Sequence, residues 1–239
     1  MRHSLRILAA ALFLLTVSIW GCEERLGSPA PKIRGTSVDA RPGVKAPPPS
    51  NAALRPAERI IVAFGDSLTA GAGVTSEESY PAQLQEKLML AGYRYRVINA
   101  GVSGDTTAGA LRRVDWVLKS KPEIVIVELG ANDGLRGVDL KETRANLERI
   151  IERLLAGDTK VILAGMKLPP NYGREYTGAF QSLYPELAKA YKIPLMPFFL
   201  EGVATKVDLN QADGLHPTKA GYTMIVNSLW PVLEPLLQK

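Results

Sequence analysis

Histidine and cysteine are scarce in this chain, which has two of the first and one of the second among its 239 residues. His3 falls in a basic-then-apolar leader, so His216 is the single imidazole left to the rest. One cysteine and one histidine cannot build a zinc site of the usual kind, and a lone cysteine has no disulfide partner. Neither a G-x-x-x-x-G-K-[ST] loop nor a G-x-G-x-x-G turn occurs, although Gly71-Ala72-Gly73-Val74 briefly looks like the start of one. The expectation is therefore no metal and no organic cofactor. Lys and Arg outnumber Asp and Glu by 29 to 24, but no basic tract is interleaved with aromatics, so nucleic acid is not an expected partner.

Long apolar runs are also missing. The longest, Ile7 to Trp20, is too short to span a bilayer comfortably. It follows the basic start carried by Arg2 and Arg6 and stops at Gly21-Cys22, which is the layout of an export signal. "SIWGC" resembles the lipobox of bacterial lipoproteins, in which the cysteine becomes the lipid-carrying first residue, although Trp20 stands where a small residue is usual. An anchor at Cys22 is the preferred reading; an ordinary secretory cut nearby and an uncleaved signal anchor are the alternatives. Loss of Arg2 and Arg6, with no acid in the leader, lowers the formal charge from +5 to +3. Glu23 to Arg55 is rich in Pro, Ala, Gly and charge, with "APPPSNAALRP" near its end, and has too little hydrophobicity to bury a core. Residues 1–21 thus read as a signal peptide, 22–56 as a disordered tether and 57–239 as one domain of common size.

Within that domain short apolar runs alternate with helical patterns. Candidate strands are Ile60 to Phe64, Tyr95 to Ile98, Ile124 to Leu129, Val161 to Ala164 and a weak one around Pro194 to Met196. The first, third and fourth lack alternation, as parallel strands covered on both faces do. Ser79 caps a helix with Pro81 in its first turn and Gly92 past its end. Asp139 and Glu142 resemble a capping box ahead of an apolar face of Leu147, Ile150, Ile151, Leu154 and Leu155, stopped by Gly157. A last helix is expected from Pro217 to about Trp230, bent or ended by Pro231. Strand–helix alternation implies a parallel sheet between helical layers.

In such sheets function gathers beyond the carboxyl ends of the strands. Gly65-Asp66-Ser67, Gly101-Val102-Ser103-Gly104-Asp105, Gly130-Ala131-Asn132-Asp133 and Asp213-Gly214-Leu215-His216 all follow strands, so four loops should meet at one end. A serine hydroxyl needs a neighbouring base, and His216 is the imidazole available. Asp213, three residues before it, can reach Nδ1 and leave Nε2 facing Ser67, the division of labour of a catalytic triad; it can equally be a turn residue. Gly-Asp-Ser is also good turn chemistry in its own right. For the oxyanion formed on attack, the N–H of Gly104, the N–H of Ser67 and the side-chain amide of Asn132 are the candidate donors. Gly104 has a plain turn reading and Asn132 a bracing one. Asp66, Asp105 and Asp133 should turn away, since a carboxylate facing the oxyanion would oppose it.

"FGDSLTAG", "GVSGDTT", "GAND" and "DGLHP", in this order, resemble the four sequence blocks of the SGNH hydrolases, also called the GDSL lipase/esterase family. The likeness runs from Ile60 to the C-terminus. It implies a flavodoxin-like three-layer α/β/α sandwich with a parallel sheet of about five strands, a Ser67 nucleophile, a His216 base oriented by Asp213, and oxyanion donors at Gly104 and Asn132. No G-x-S-x-G elbow is present, which disfavours an ordinary α/β-hydrolase. "NDGLRG", "MKLPPNYG" and "LYPELAKAYKIPLMPFFLEGVA" are similar to the thioesterase/lysophospholipase/arylesterase subgroup. Its members are typically periplasmic and act on acyl thioesters, lysophospholipids and aryl esters. Ala131 stands where many have glycine. The resemblance thus implies a serine esterase acting on a small-molecule or lipid acyl ester, held at a membrane by its N-terminal lipid. Leu168 and Tyr172 are candidate walls of the acyl site, or parts of a Pro-rich connector. Alternatives are a carbohydrate O-acetylesterase on envelope glycans and, from another class, a catalytically silent lipid-anchored binding module.

Overall fold

The chain places β1 (Arg59–Gly65), β2 (Tyr95–Gly101), β3 (Ile124–Glu128), β4 (Lys160–Ala164) and β5 (Leu195–Met196) in one parallel sheet of order β2-β1-β3-β4-β5. This is seen in a computed structural model that describes residues 59–239. β3 is buried along its whole length, and β1 and β4 are buried from Ile61 and Val161 onward. Each apolar side chain in these strands contributes about 1.5–3 kcal/mol by leaving water. β2, at the sheet edge, mixes buried and exposed positions, and β5 is reduced to two residues paired with Leu163 and Ala164.

The helices are α1 (Ser67–Ala70), α2 (Tyr80–Leu90), α3 (Thr107–Lys119), α4 (Ala131–Leu135), α5 (Leu140–Leu155), α6 (Arg174–Tyr191) and α7 (Lys219–Leu233). α2 packs with α7, while α5 packs with both α3 and α6. These are the outer layers of a three-layer α/β/α sandwich with flavodoxin-like strand order. Among the described residues no helix is long and apolar enough to cross a membrane. The expected signal, Cys22 and the tether lie outside the described residues, as do the first two residues of the expected domain.

Several local expectations change. Strand β2 runs on through Gly101, three residues past the expected end at Ile98. Ser79 occupies the cap position of α2, yet its hydroxyl donates backward to Ser76 O at 2.7 Å instead of accepting from the helix. Asp139 caps α5 through Lys141 N at 2.9 Å, two residues on. The last helix starts at Lys219, with Thr218 Oγ1 accepting from Gly221 N, and it passes through Pro231 to Leu233. Proline removes one helical hydrogen bond, but Leu229 and Leu233, both fully buried, hold the last turn in place. α6 likewise contains Pro185 in its interior.

At the C-terminal edge of the sheet Gly65 pairs with Glu128. A Cβ on Gly65 would lie 2.0 Å from Thr69 Oγ1 and 2.6 Å from Glu128 O, distances that no side chain tolerates. Gly65→Ala should therefore lower the unfolding free energy by about 3 kcal/mol, read as a lower urea midpoint. An unchanged midpoint would mean that β1 and β3 part there without cost.

Candidate active site

The strand order reverses between β1 and β3, and in this topology ligands bind at such a switch point. The turn after β1 makes Asp66 the cap of α1, its Oδ1 accepting from Leu68 N at 3.0 Å. That helix is one turn long, ended by Gly71 in the left-handed region at φ +81. Ser67 is thus held at the mouth of the switch point by a tight bend, half-buried rather than free on the surface.

The loop before α7 reaches the same place from the other end of the domain. Asp213 Oδ1 accepts from the backbone of Leu215 at 2.9 Å and of His216 at 3.0 Å, and its Oδ2 meets His216 Nδ1 at 2.7 Å. His216 Nε2 lies 2.9 Å from Ser67 Oγ. The carboxylate can only accept, so its position assigns the proton to Nδ1 and leaves the Nε2 lone pair facing the hydroxyl. Two backbone N–H groups and the imidazole hold Asp213 down to a pKa of about 2. Gln211 ties this loop to the serine side, donating from Nε2 to Ala72 O at 2.8 Å and to Pro217 O at 3.0 Å. Ser67, His216 and Asp213 are therefore brought together as a hydrogen-bonded chain.

Asn132, on α4, points its Nδ2 to Asp66 Oδ2 at 2.9 Å and lines the same cleft as Ser67 and His216. Gly130 before it has φ +107, and a Cβ there would meet the Tyr184 hydroxyl at 2.5 Å. Gly104 lies in the loop after β2 at φ +77, its carbonyl accepting from Arg136 Nη2 at 2.9 Å, and it is not part of the cleft lining. Asp105 and Asp133 brace loops: Asp105 pairs with Arg113 Nε at 2.8 Å, and Asp133 accepts from Thr107 N at 2.9 Å and from its hydroxyl at 2.5 Å. Asp66 stays at the cleft and is almost wholly buried.

Two residues of consequence escaped sequence reasoning. Arg113 donates to Gly65 O at 2.9 Å and Ala100 O at 2.6 Å, and its guanidinium lies 4.5 Å from the Phe64 ring centre. It clamps the β2 loop to the serine turn, and nothing in its sequence context marks it. Glu128 is fully buried, with Oε2 accepting from Thr69 Oγ1 at 2.8 Å and from Asp66 N at 3.4 Å. Its signal was present: an acid closing an apolar strand that is covered on both faces. Burial raises the pKa of both Asp66 and Glu128, and the charge of Asp66 drives Glu128 further, well above the usual carboxylate range.

The cleft has a volume of about 420 Å³. Ser67, Asn132 and His216 supply polar atoms, and Leu135, Met166, Leu168, Phe198, Leu200 and Leu215 are among the apolar residues around them. Tyr172 is outside it, in a separate surface depression with Leu140 and Tyr176. The Pro169-Pro170 turn leaves Leu168 on the cleft and carries Tyr172 past it, where its hydroxyl donates to Leu135 O at 3.0 Å. Among the described residues no group of three or more His, Cys, Asp or Glu side chains could hold a metal ion.

Residues 63–224 match the model of the GDSL-like Lipase/Acylhydrolase family. "Esterase TesA" of Pseudomonas aeruginosa is 43% identical over 182 residues, covering 76% of this chain and 90% of the relative. "Thioesterase 1/protease 1/lysophospholipase L1" of Escherichia coli K12 is 39% identical over 178 residues, covering 74% and 84%. Among solved structures, the psychrotrophic esterase EstA from Pseudoalteromonas sp., inhibited by monoethylphosphonate, superposes with a TM-score of 0.71 at 36% identity, covering 74% of this chain and 97% of that one. A serine turn at the switch point, an imidazole facing it and these likenesses converge: the chain belongs to the GDSL-like lipase/acylhydrolase family and is a serine esterase.

Proposed function

We propose that this esterase works by a ping-pong route through an acyl-enzyme on Ser67. Ser67 Oγ attacks the carbonyl carbon of an acyl ester or thioester while His216 Nε2 takes its proton. The tetrahedral intermediate collapses, the C–O or C–S bond breaks, and His216 returns the proton to the leaving alcohol or thiol. Water, deprotonated by the same nitrogen, then attacks the acyl carbon and frees a carboxylic acid and Ser67. Asp213 keeps the imidazole in the required tautomer and offsets its charge in the transition state. Asn132 has a second amide hydrogen beyond the one given to Asp66; with the N–H groups of Ser67 and Gly104 it forms the proposed oxyanion hole. The carrying observation is the 2.9 Å approach of Ser67 Oγ to His216 Nε2 in a chain that ends on Asp213.

The cleft supports acyl chains longer than acetyl, because its walls offer apolar surface and few hydrogen-bonding groups for a sugar. Lysophospholipids, acyl-CoA and aryl esters are the proposed substrate classes. Outside the domain, residues 1–21 are proposed as an export signal, Cys22 as a lipid attachment point and 22–56 as a tether, which would place the enzyme at a membrane facing the periplasm. Mass spectrometry of the mature N-terminus checks this: a diacylglyceryl mass on Cys22 is expected, and an unmodified N-terminus elsewhere would refute it.

Ser67→Ala should cut hydrolysis of p-nitrophenyl esters by on the order of 10⁴-fold or more with an unchanged melting temperature; near-native turnover would sink the assignment. Along a p-nitrophenyl series from acetyl to octanoyl, kcat/KM should rise by roughly two- to fourfold per methylene buried. A sharp acetyl optimum would favour a glycan O-acetylesterase instead. Asp213 is held down to a pKa of about 2, whereas burial lifts Asp66, the acceptor for the Asn132 amide, to about 6. Of these two carboxylates, Asp66 is therefore the one protonated in mild acid, and Asp66→Asn should alter the acid limb of a plot of log kcat/KM against pH; an unchanged limb would show that Asp66 does not titrate there.

A further inference from the structure

Glu128 and Asp66 share a nearly water-free site behind Ser67, with 0% and 1% exposure. Two carboxylates in such a place cannot both be ionised, because neither hydration nor a partner charge compensates the second. Asp66 accepts on both oxygens, from Leu68 N and from Asn132 Nδ2. Glu128 accepts only on Oε2; its Oε1 is buried without a donor. The two side chains are neighbours, Glu128 Oε2 also accepting from the Asp66 backbone N–H at 3.4 Å. The proton therefore belongs on the acid with the empty oxygen. The other groups facing it are Tyr80 on α2, Tyr222 on α7 and Tyr184 on α6, all neutral phenols, while His216 acts on the Asp66 side.

We infer that Glu128 is a positioning residue for catalysis: its neutral carboxyl donates to the Asp66 carboxylate, which in turn aims the amide of Asn132 into the cleft. Removal of the Glu128 donor leaves Asp66 short of one bond and free to turn, and Asn132 turns with it. The oxyanion exists only during reaction, so the defect falls on kcat rather than on KM. The inference rests on Asn132 being an oxyanion donor, and the test separates the two ideas.

The experiment is a double-mutant cycle on p-nitrophenyl butyrate hydrolysis with Glu128→Gln, Glu128→Met and Asn132→Ala. A glutamine amide can donate to Asp66 and accept from Thr69, so Glu128→Gln should keep kcat within about threefold, whereas Glu128→Met, which has no polar atom to offer, should lose on the order of ten- to a hundredfold in kcat with little change in KM. Added to Asn132→Ala, Glu128→Met should cost nothing further. A loss with Glu128→Gln equal to that with Glu128→Met overturns the inference, as does a Glu128→Met loss that persists in the Asn132→Ala background. If Asn132→Ala itself leaves kcat unchanged, the oxyanion reading fails and this inference with it. Should Glu128→Met not fold, the infrared difference between wild type and Glu128→Gln decides: a carboxylic-acid C=O band at neutral pH is expected, and its absence overturns the neutral state.

Discussion

The site depends on how closely β1 and β3 approach at their carboxyl ends. Gly65 stands opposite Glu128 in the register, and the space a side chain would fill holds Thr69 Oγ1 and the Glu128 carboxyl. That approach sets Asp66 beside Glu128 and lets α4 present Asn132 to the turn bearing Ser67. Arg113 fastens the third strand end by bonding Gly65 O, Ala100 O and Asp105 together. A serine on a bend this short gains its fixed direction from the strands beneath it, not from its own four-residue helix.

Three acids surround the reacting groups, and their environments divide the work. Asp213 is largely exposed, bonded by two backbone N–H groups, and held as an anion. Glu128 is enclosed and pushed toward neutrality. Asp66 lies between, buried yet furnished with donors. Environment rather than residue type separates an acid held as an anion from one pushed toward neutrality. Solvent plays opposite parts at the two: it screens Asp213 and is shut away from Glu128.

The apolar cleft explains why such a site suits acyl transfer. Leu168 and Phe198 come from segments flanking β4 and β5, Leu135 from α4, and Leu215 from the loop that also carries His216. One loop thus supplies both part of the apolar wall and the imidazole. Substrate contact near Leu215 and the Asp213–His216 geometry are physically linked through adjacent residues, whose backbone N–H groups both donate to the same carboxyl oxygen.

Much was legible beforehand. Unalternating runs at Ile60, Ile124 and Val161 marked buried parallel strands, and the single imidazole left after the leader could only be His216. The spacing of Asp213 to His216 also read correctly as a local pair, because a three-residue turn decides it. Helices α3 and α6 were not delimited, and the last helix does not end at Pro231 but runs on to Leu233, where long-range burial of Leu229 and Leu233 outweighed a local propensity. Tyr172 was expected on the cleft with Leu168, yet it lies in a separate depression: direction out of a turn is a three-dimensional matter. Sequence alone determined which side chains could do chemistry, because residue type and neighbours suffice for that. Only the tertiary structure decided that Glu128 and Asp66 share one dry pocket, and that Arg113 bridges two strands. Those facts arise from contacts between segments far apart in the chain, where register and burial, not neighbouring residues, set the distance.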